Sequence, residues 1–411
     1  MPYNRGAMRT PTRLPLYAKI LIGLLLGVVA GLVLPAPWAG SLDVPAKIIL
    51  RCLGAIAPPL VLVAVMRALI TANVKGRMAG RLFFLLILNT LVAIAIGLLV
   101  ANVIQPGRHA NLASGQERVN ADIVTLLLDN VPDSLLRPLV ENKVLGVIII
   151  AVAFGMAART LHATRKKQLL DAIDLGFELI LVVLHWIIAL VPLAVFCKVA
   201  FVIGTQGFAP FKALGWFVAA VLVALMLQAA YYLVRIRLAS WVRPLDLIRG
   251  TRDALAMAFS TASSTVTMPV TYASLREKVG LREESATLGA LVGSNFNNDG
   301  TALYEAMAAL FVAQMIGVEL SLAQQAMVVL TSVIASVGAA GIPEAGLVTM
   351  TLVFSAVQLP TGAIALLLPV DWFLDRCRTT VNVMGDMNVA CILDGTKRHE
   401  PTPDPRLDPV A

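Results

Sequence analysis

The chain has 411 residues, 58% of them hydrophobic and only 14% charged, and a formal net charge of +8. An ordinary soluble domain carries roughly 25% charged residues, so too few charges remain here for a surface facing water, and lipid is the expected solvent. The basic excess does not point to nucleic acid, because Lys and Arg sit in short clusters between apolar runs, with no aromatic–basic stripe or finger spacing.

Arg5, Arg9, Arg13 and Lys19 precede the first apolar run without a convincing cleavage site. This reads as an uncleaved signal-anchor helix with its basic flank inside. A crossing takes about 20 apolar residues. Runs of that kind lie at 20–34, about 46–70, 82–104, about 144–158 (its start expected upstream near Leu135), 173–203 and 214–234. Lys75, Arg77 and Arg81 separate the second run from the third; Arg159, Arg165, Lys166 and Lys167 separate the fourth from the fifth; Arg235, Arg237 and Arg243 follow the sixth. The connection 35–45 has no basic residue and 204–213 only Lys212, while 105–143 mixes both signs. Positive charge therefore marks every second turn, which predicts a multi-pass protein of the cell membrane with both termini cytoplasmic.

The alternation then breaks. Residues 254–275 have Arg249 and Arg252 on one side and Arg276 and Arg282 on the other, and their middle, AFSTASSTVTMPVT, is rich in hydroxyls and contains Pro269. A segment with both ends inside fits a hairpin that enters the membrane and turns back. A second pair of arms, about 323–336 and 347–358, is joined by VGAAGIPEAG, whose Gly338, Gly341, Pro343 and Gly346 rule out one continuous helix. Each hairpin precedes an apolar span bearing charge: 286–314, interrupted by SNFNNDGT, and about 363–393, containing DWFLDRCRTTVNVMGD. Secondary transporters build midplane sites from such opposed, discontinuous elements. Cys52, Cys197, Cys377 and Cys391 are too scattered for a disulfide framework or metal site. The four histidines are dispersed and no Ser–His–Asp or metal-hydrolase pattern is present, so no enzyme is expected.

Within the last span, Asp371, Asp375, Arg378, Thr379, Asn382 and Asp386 fall on one face roughly 100° wide at about 100° per residue. Ionised groups on such a face are costly in lipid, so it must look into protein, water or a ligand. An internal salt-bridge network is the competing reading, but three carboxylates against one guanidinium leave an acidic surplus that a cation would neutralise. Asp386, Asn382 and the backbone near Gly385 offer the oxygen atoms that hard cations prefer. Asp299 lies in FNNDG, where Asn297, Asn298 and Gly300 weaken the helix and free carbonyl groups; helix capping is the plainer alternative. Arg378 presents a planar fork for a carboxylate, and Asp375 one turn away suits a primary ammonium. Ser263, Ser264 and Thr265 at the first hairpin tip could meet an α-carboxylate, helped by a helix N-terminus, or could simply be hydrogen-bonded hairpin residues. Two anion sites and one ammonium site describe an acidic amino acid.

The stretches STASSTVTMPVT, NNDGTALYEAMAALFVAQ, ASVGAAGIPEAGLVTM and DWFLDRCRTTVNVMGD together resemble the glutamate transporter family, the dicarboxylate/amino-acid:cation symporters. The resemblance covers about residues 14–394 and is most specific over 259–386. It implies an all-α membrane fold of eight spans and two re-entrant hairpins, assembled as a homotrimer in lipid, with a fixed scaffold and a transport domain that moves as an elevator. On this chain, 1–81 would hold scaffold spans one and two, 82–104 span three of the transport domain, 105–213 scaffold spans four and five, 214–394 the transport core, and 395–411 a cytoplasmic tail.

The resemblance also implies roles. Arg378 would hold the substrate's side-chain carboxylate and Asp375 its amino group, with Thr379, Asn382, Ser263, Ser264 and Thr265 completing the pocket. The second tip, 336–341, would gate it, and its Ala339 and Gly341 would bind substrate. Gly293, Asn297, Asn382 and Asp386 resemble one sodium site. Asp299, Asn297, Asn89 and Thr90 resemble another, and a third lies where Ser336 and Val337 meet the broken span. Asn295, where a threonine is usual, joins the candidate metal ligands. Some prokaryotic members carry an arginine where Ala262 stands; Arg376 in the last span is the corresponding auxiliary charge of animal members. Glu305 matches their proton carrier, or else partners an arginine facing the pore. Sodium is the expected coupling ion, with protons as competitor and potassium counter-transport left open. Asn298 replaces the methionine of the family's NMDG, Leu86 a tyrosine, and Glu344 a glycine or glutamine; no role is assigned to these departures.

Overall fold

The computed structural model describes residues 16–71, 77–110, 132–141, 144–338 and 345–398. Among the described residues every regular element is a helix. In chain order they are α1 (Leu16–Val33), α2 (Ala36–Ser41), α3 (Asp43–Thr71), α4 (Arg77–Ile104), α5 (Arg137–Val140), α6 (Val144–Arg159), α7 (Ala163–Ile188), α8 (Val191–Gln206) and α9 (Ala209–Ala239). There follow α10 (Pro244–Thr261), α11 (Ser264–Ala273), α12 (Glu283–Thr287), α13 (Gly293–Phe296), α14 (Asp299–Met315), α15 (Leu322–Gly338), α16 (Ala345–Ala356) and α17 (Leu368–Asp394). With no water to satisfy peptide groups in a bilayer core, helices are the form such apolar runs must take. Large side chains such as Leu25, Leu32, Leu99, Met226 and Leu238 face outward, a surface suited to acyl chains.

Two apolar helices, Gly80–His109 and Pro210–Ala239, are long enough to cross a bilayer unbroken. The fifth run, expected as one span over 173–203, is instead two helices: α7 and α8 meet at a 40° bend. Pro192 at the first turn of α8 lacks an N–H and disfavours helical backbone in the residue before it. The upstream start expected near Leu135 is a separate short helix, α5, closing at Glu141.

Gly23, Gly27 and Gly31 form a small-residue ridge on α1 that lies directly on α8. A Cβ at these positions would stand 2.5 Å from Pro192 O, 2.7 Å from Phe196 O and 2.8 Å from Ile203 Cβ, respectively. Membrane helices gain association energy from such backbone approach, since apolar side chains are no worse off in lipid.

The two hairpin regions are α10 with α11 and α15 with α16; the arms of each pair pack on one another. At the first tip Ala262 adopts the left-handed conformation (φ 50°), the common way to end a helix sharply. The interrupted span is broken where its composition indicates: Asn297 (φ −103°, ψ 88°) and Asn298 (φ −116°, ψ 49°) are non-helical between α13 and α14. Helix α14 is buried almost along its whole length, packed among α4, α17, α15 and α16. This centre carries the buried charged groups Asp299, Glu305, Asp371, Asp375, Arg378 and Asp386, whereas others such as Arg137 and Lys278 stay exposed.

Candidate functional site

The site is built on α17 and the break before α14. Asp371, Asp375, Arg378, Thr379, Asn382 and Asp386 are all buried, so the charged face of α17 turns into protein. Arg378 is 0% exposed. Its Nη1 donates to Asp371 Oδ1 at 3.0 Å and its Nη2 to Asp375 Oδ1 at 2.8 Å. The Tyr304 ring lies 4.0 Å below the guanidinium carbon, a cation–π contact strengthened by desolvation. A Cβ at Gly346 would stand 3.3 Å from both terminal nitrogens of Arg378. The first turn of α16 thus rests on the guanidinium. Arg378 Nε has no partner among the described residues.

One turn deeper, α14 backs directly onto α17. A side chain at Gly300 would meet Arg378 O at 2.8 Å, and Gly300 N donates to Asn382 Oδ1 at 2.7 Å. The Asn382 amide nitrogen reaches Asn298 Oδ1 and Thr301 Oγ1, each at 3.3 Å. Asn297 Nδ2 donates to Asn382 O and Asp386 Oδ1, both at 3.1 Å. Its own Oδ1 is buried without a partner among the described residues, which is costly unless something else satisfies it. Gly293 leaves room beside the acid: a Cβ there would approach Asp386 Oδ1 to 2.6 Å. A buried carboxylate beside a side-chain-free backbone, bonded to a residue whose own amide oxygen is orphaned among the described residues, offers the oxygen atoms that a small hard cation takes.

Around Asp299 the picture differs. Thr90 Oγ1 donates to Asp299 Oδ1 at 2.6 Å and the Tyr232 hydroxyl donates to Oδ2. Asn89 Oδ1 accepts from Arg235 Nη1.

At the first tip, Ser263 caps α11 by accepting from Val266 N at 3.2 Å, and the Ser264 hydroxyl donates to Ser294 O at 3.1 Å. The helix N-terminus is present, whereas Thr265 is exposed. Ser336 O accepts from Asn298 Nδ2 at 2.8 Å, joining α15 to the break. Val337 belongs to α15. Ala339, Gly341 and Glu344 lie outside the described residues, as do the side chains of Asn295 and Val337. Arg376 Nη1 reaches back to Trp372 O at 3.0 Å, with its guanidinium 5.6 Å from the Trp372 ring. Glu305 is fully buried and accepts from the Thr349 hydroxyl; its second oxygen has no partner among the described residues. A cavity of about 820 Å³ lined by Asn102, Gln105, Arg108, Gln314, Glu319 and Gln325 contains none of the candidate ligands.

Sequence reasoning missed Tyr304, Gly346, Thr349, Tyr232 and Arg235. Arg235 was grouped with Arg237 and Arg243 as a marker of the cytoplasmic side, but its side chain turns inward to Asn89. A signal existed: Gln228, Tyr232 and Arg235 recur at helical spacing on one face of an otherwise apolar run.

The sodium:dicarboxylate symporter family model matches residues 16–396. Excitatory amino acid transporter 4 of Mus musculus is 38% identical over 271 residues, covering 62% of this chain and 46% of the relative. Excitatory amino acid transporter 2 of Homo sapiens is 39% identical over 249 residues, 59% of this chain and 43% of the relative. A longer alignment joins 87% of the chain to 77% of excitatory amino acid transporter 1 of Ambystoma tigrinum at 28% identity. The chain thus spans about half the length of the first of these relatives.

Proposed function

The chain belongs to the sodium:dicarboxylate symporter family, and from that premise we propose that it is a membrane symporter for an acidic amino acid, L-glutamate or L-aspartate, driven by inward sodium movement. The observation that carries the reading is the buried Arg378 held between Asp371 and Asp375 under α16.

That arrangement suits exchange of partners. Asp371 keeps Nη1 and so holds the guanidinium in place, while the Arg378–Asp375 pair opens. The solute's side-chain carboxylate then takes the freed donors of Arg378, and its ammonium takes Asp375. A neutral amino acid leaves the guanidinium fork unmatched, and a simple dicarboxylate meets Asp375 with like charge. An acidic solute adds negative charge to a buried face where Asp371, Asp375 and Asp386 already outnumber Arg378. Burial in low dielectric makes that surplus expensive. Sodium entering at Asn297, Asn382 and Asp386 offsets it, which makes solute and ion binding mutually dependent. The second hairpin, α15 and α16, closes over Arg378 as the gate. The scaffold and transport division, the eight spans with two re-entrant hairpins, the elevator motion, the trimer and the cytoplasmic termini belong to the same reading. Arg376 is its auxiliary charge.

Proton coupling is the second reading, favoured by Glu305: a buried carboxyl with one unsatisfied oxygen beside the Arg378 region. Uptake of L-aspartate and L-glutamate into liposomes, with sodium, proton and potassium gradients imposed one at a time, separates the two. A sodium gradient is expected to drive accumulation, and Asp386→Asn to weaken sodium activation. Accumulation driven by a proton gradient alone would replace sodium with protons, and no accumulation under any gradient would end the transport reading.

A further inference from the structure

The family resemblance implies a second cation among Asp299, Asn297, Asn89 and Thr90, but the geometry there does not fit one. Asp299 is fully buried, and both of its oxygens accept hydroxyl protons, one from Thr90 and one from Tyr232. The Asn89 side-chain oxygen accepts from the Arg235 guanidinium, and its backbone oxygen accepts from Gln228 Nε2 at 3.4 Å. Asn297 turns its nitrogen toward Asn382 and Asp386. A hard cation needs several oxygen lone pairs directed at it; here those of Asp299 and the Asn89 side chain are directed at N–H and O–H groups of the protein. The Asn297 side-chain oxygen, which has no partner among the described residues, is too little for a site by itself. A positive charge is also already close by, for Arg235 is bonded to Asn89, the neighbour of the Thr90 that donates to Asp299. An added ion would be repelled by that guanidinium and would have to displace two hydroxyl protons.

The arrangement is held by a further contact. Asn388 Nδ2 donates to Tyr232 O at 3.0 Å, and Asn388 Oδ1 lies 3.5 Å from both Arg235 Nη1 and Asn89 Nδ2. Asn388 therefore ties α9, α4 and α17 in the register that brings Tyr232 to Asp299 and Arg235 to Asn89.

We propose that Arg235, with the hydroxyls of Tyr232 and Thr90, stands in for a coupling cation at Asp299, so that sodium engages this chain without a site there. The guanidinium is a tethered, permanent counter-charge that neither arrives nor leaves in the cycle. This rests on the reading of the chain as a sodium symporter and fixes which of its candidate sites take part.

The test uses the purified full-length protein without solute. Its melting temperature is followed as sodium chloride replaces choline chloride at constant ionic strength. Stabilisation by a ligand of the folded state grows with ligand concentration according to the number of ions bound. Parent and Asp299→Asn protein are expected to show the same sodium dependence. Arg235→Gln removes the fixed positive charge and frees the Asn89 side-chain oxygen, and is expected to steepen it by one ion per chain, Arg235→Gln/Asp299→Asn to return it to the parent curve, and Arg235→Lys to leave it there. Flattening by Asp299→Asn with Arg235 intact would overturn the proposal, as would an Arg235→Gln curve identical to the parent. If the Asp299 variants do not fold, the comparison of Gln with Lys at 235 decides by itself. L-aspartate uptake by the same parent preparation reports on transport separately. Absent uptake with the stability pattern intact sinks the transport reading and leaves the Arg235 assignment standing.

Discussion

Arg378 is charged at any physiological pH, fully buried, and bonded to two carboxylates on its own helix. Removing one member of a buried, hydrogen-bonded charge pair typically costs about 2–5 kcal/mol in binding. Arg378→Ala is therefore expected to lower the uptake efficiency for L-aspartate roughly 100-fold, corresponding to about 3 kcal/mol. Arg378→Lys should recover only part of it, because a point charge does not match two carboxylate oxygens. Radiolabelled uptake into liposomes at matched protein incorporation checks this; unchanged kinetics in Arg378→Ala would remove the residue from the solute pocket. Gly346 and Tyr304 matter for the same residue: one lets backbone lie on the guanidinium, the other stacks on its face.

At the scale of elements, the ends of three helices are clasped by one carboxylate. Asp394 at the end of α17 accepts from Trp241 Nε1 at 2.7 Å, just beyond α9. It also accepts from Arg282 N at 3.0 Å and Arg282 Nε at 3.1 Å, just before α12. Burial pushes the Asp394 carboxyl up, but these donors outweigh it and hold the carboxyl below its ordinary value. A group whose value is depressed by folding contributes stability above its unfolded value, about 3.9 for Asp; that contribution is lost as pH falls through the folded value. Asp394→Asn should destabilise the protein by about 1–3 kcal/mol at neutral pH through lost charge-assisted bonds. The gap to the parent in melting temperature should narrow below about pH 4. A gap that stays constant down to pH 3 would mean that the clasp does not depend on ionised Asp394. The first hairpin, by contrast, needs no charge to close: Ala262 turns the chain and Ser263 caps the returning arm.

For the whole molecule, the exposed apolar side chains of α1, α4 and α9 and the buried charges of α14 and α17 invert the usual arrangement of a water-soluble protein. In the proposed trimer, part of that outer surface would face other copies rather than lipid, with the proposed scaffold helices α1, α3, α6, α7 and α8 the expected place for such contacts. Light scattering of the detergent-purified protein, corrected for bound detergent, is expected to give the mass of three chains. A monomeric mass that persists in nanodiscs would remove the homotrimer from the proposal.

Residence in lipid, the two hairpin arms at 323–336 and 347–358, the break at Asn297 and the charged face of α17 could all be read from the chain. They are local properties: run length, breaker residues and a spacing of about 3.6 residues per turn are carried by neighbours in sequence. The bend between α7 and α8 was legible too, in Pro192, but the apolar run across it hid the signal. What only the tertiary structure decided is which distant groups meet. Arg235 and Asn89 are 146 positions apart, one expected as a marker of the cytoplasmic side and the other as a cation ligand, and packing brings the guanidinium of the first onto the side-chain oxygen of the second. Periodicity states which way a side chain points from its own helix, whereas the choice between an ion and an arginine depends on how two helices are rotated against each other. That rotation is set by the packing of the whole bundle.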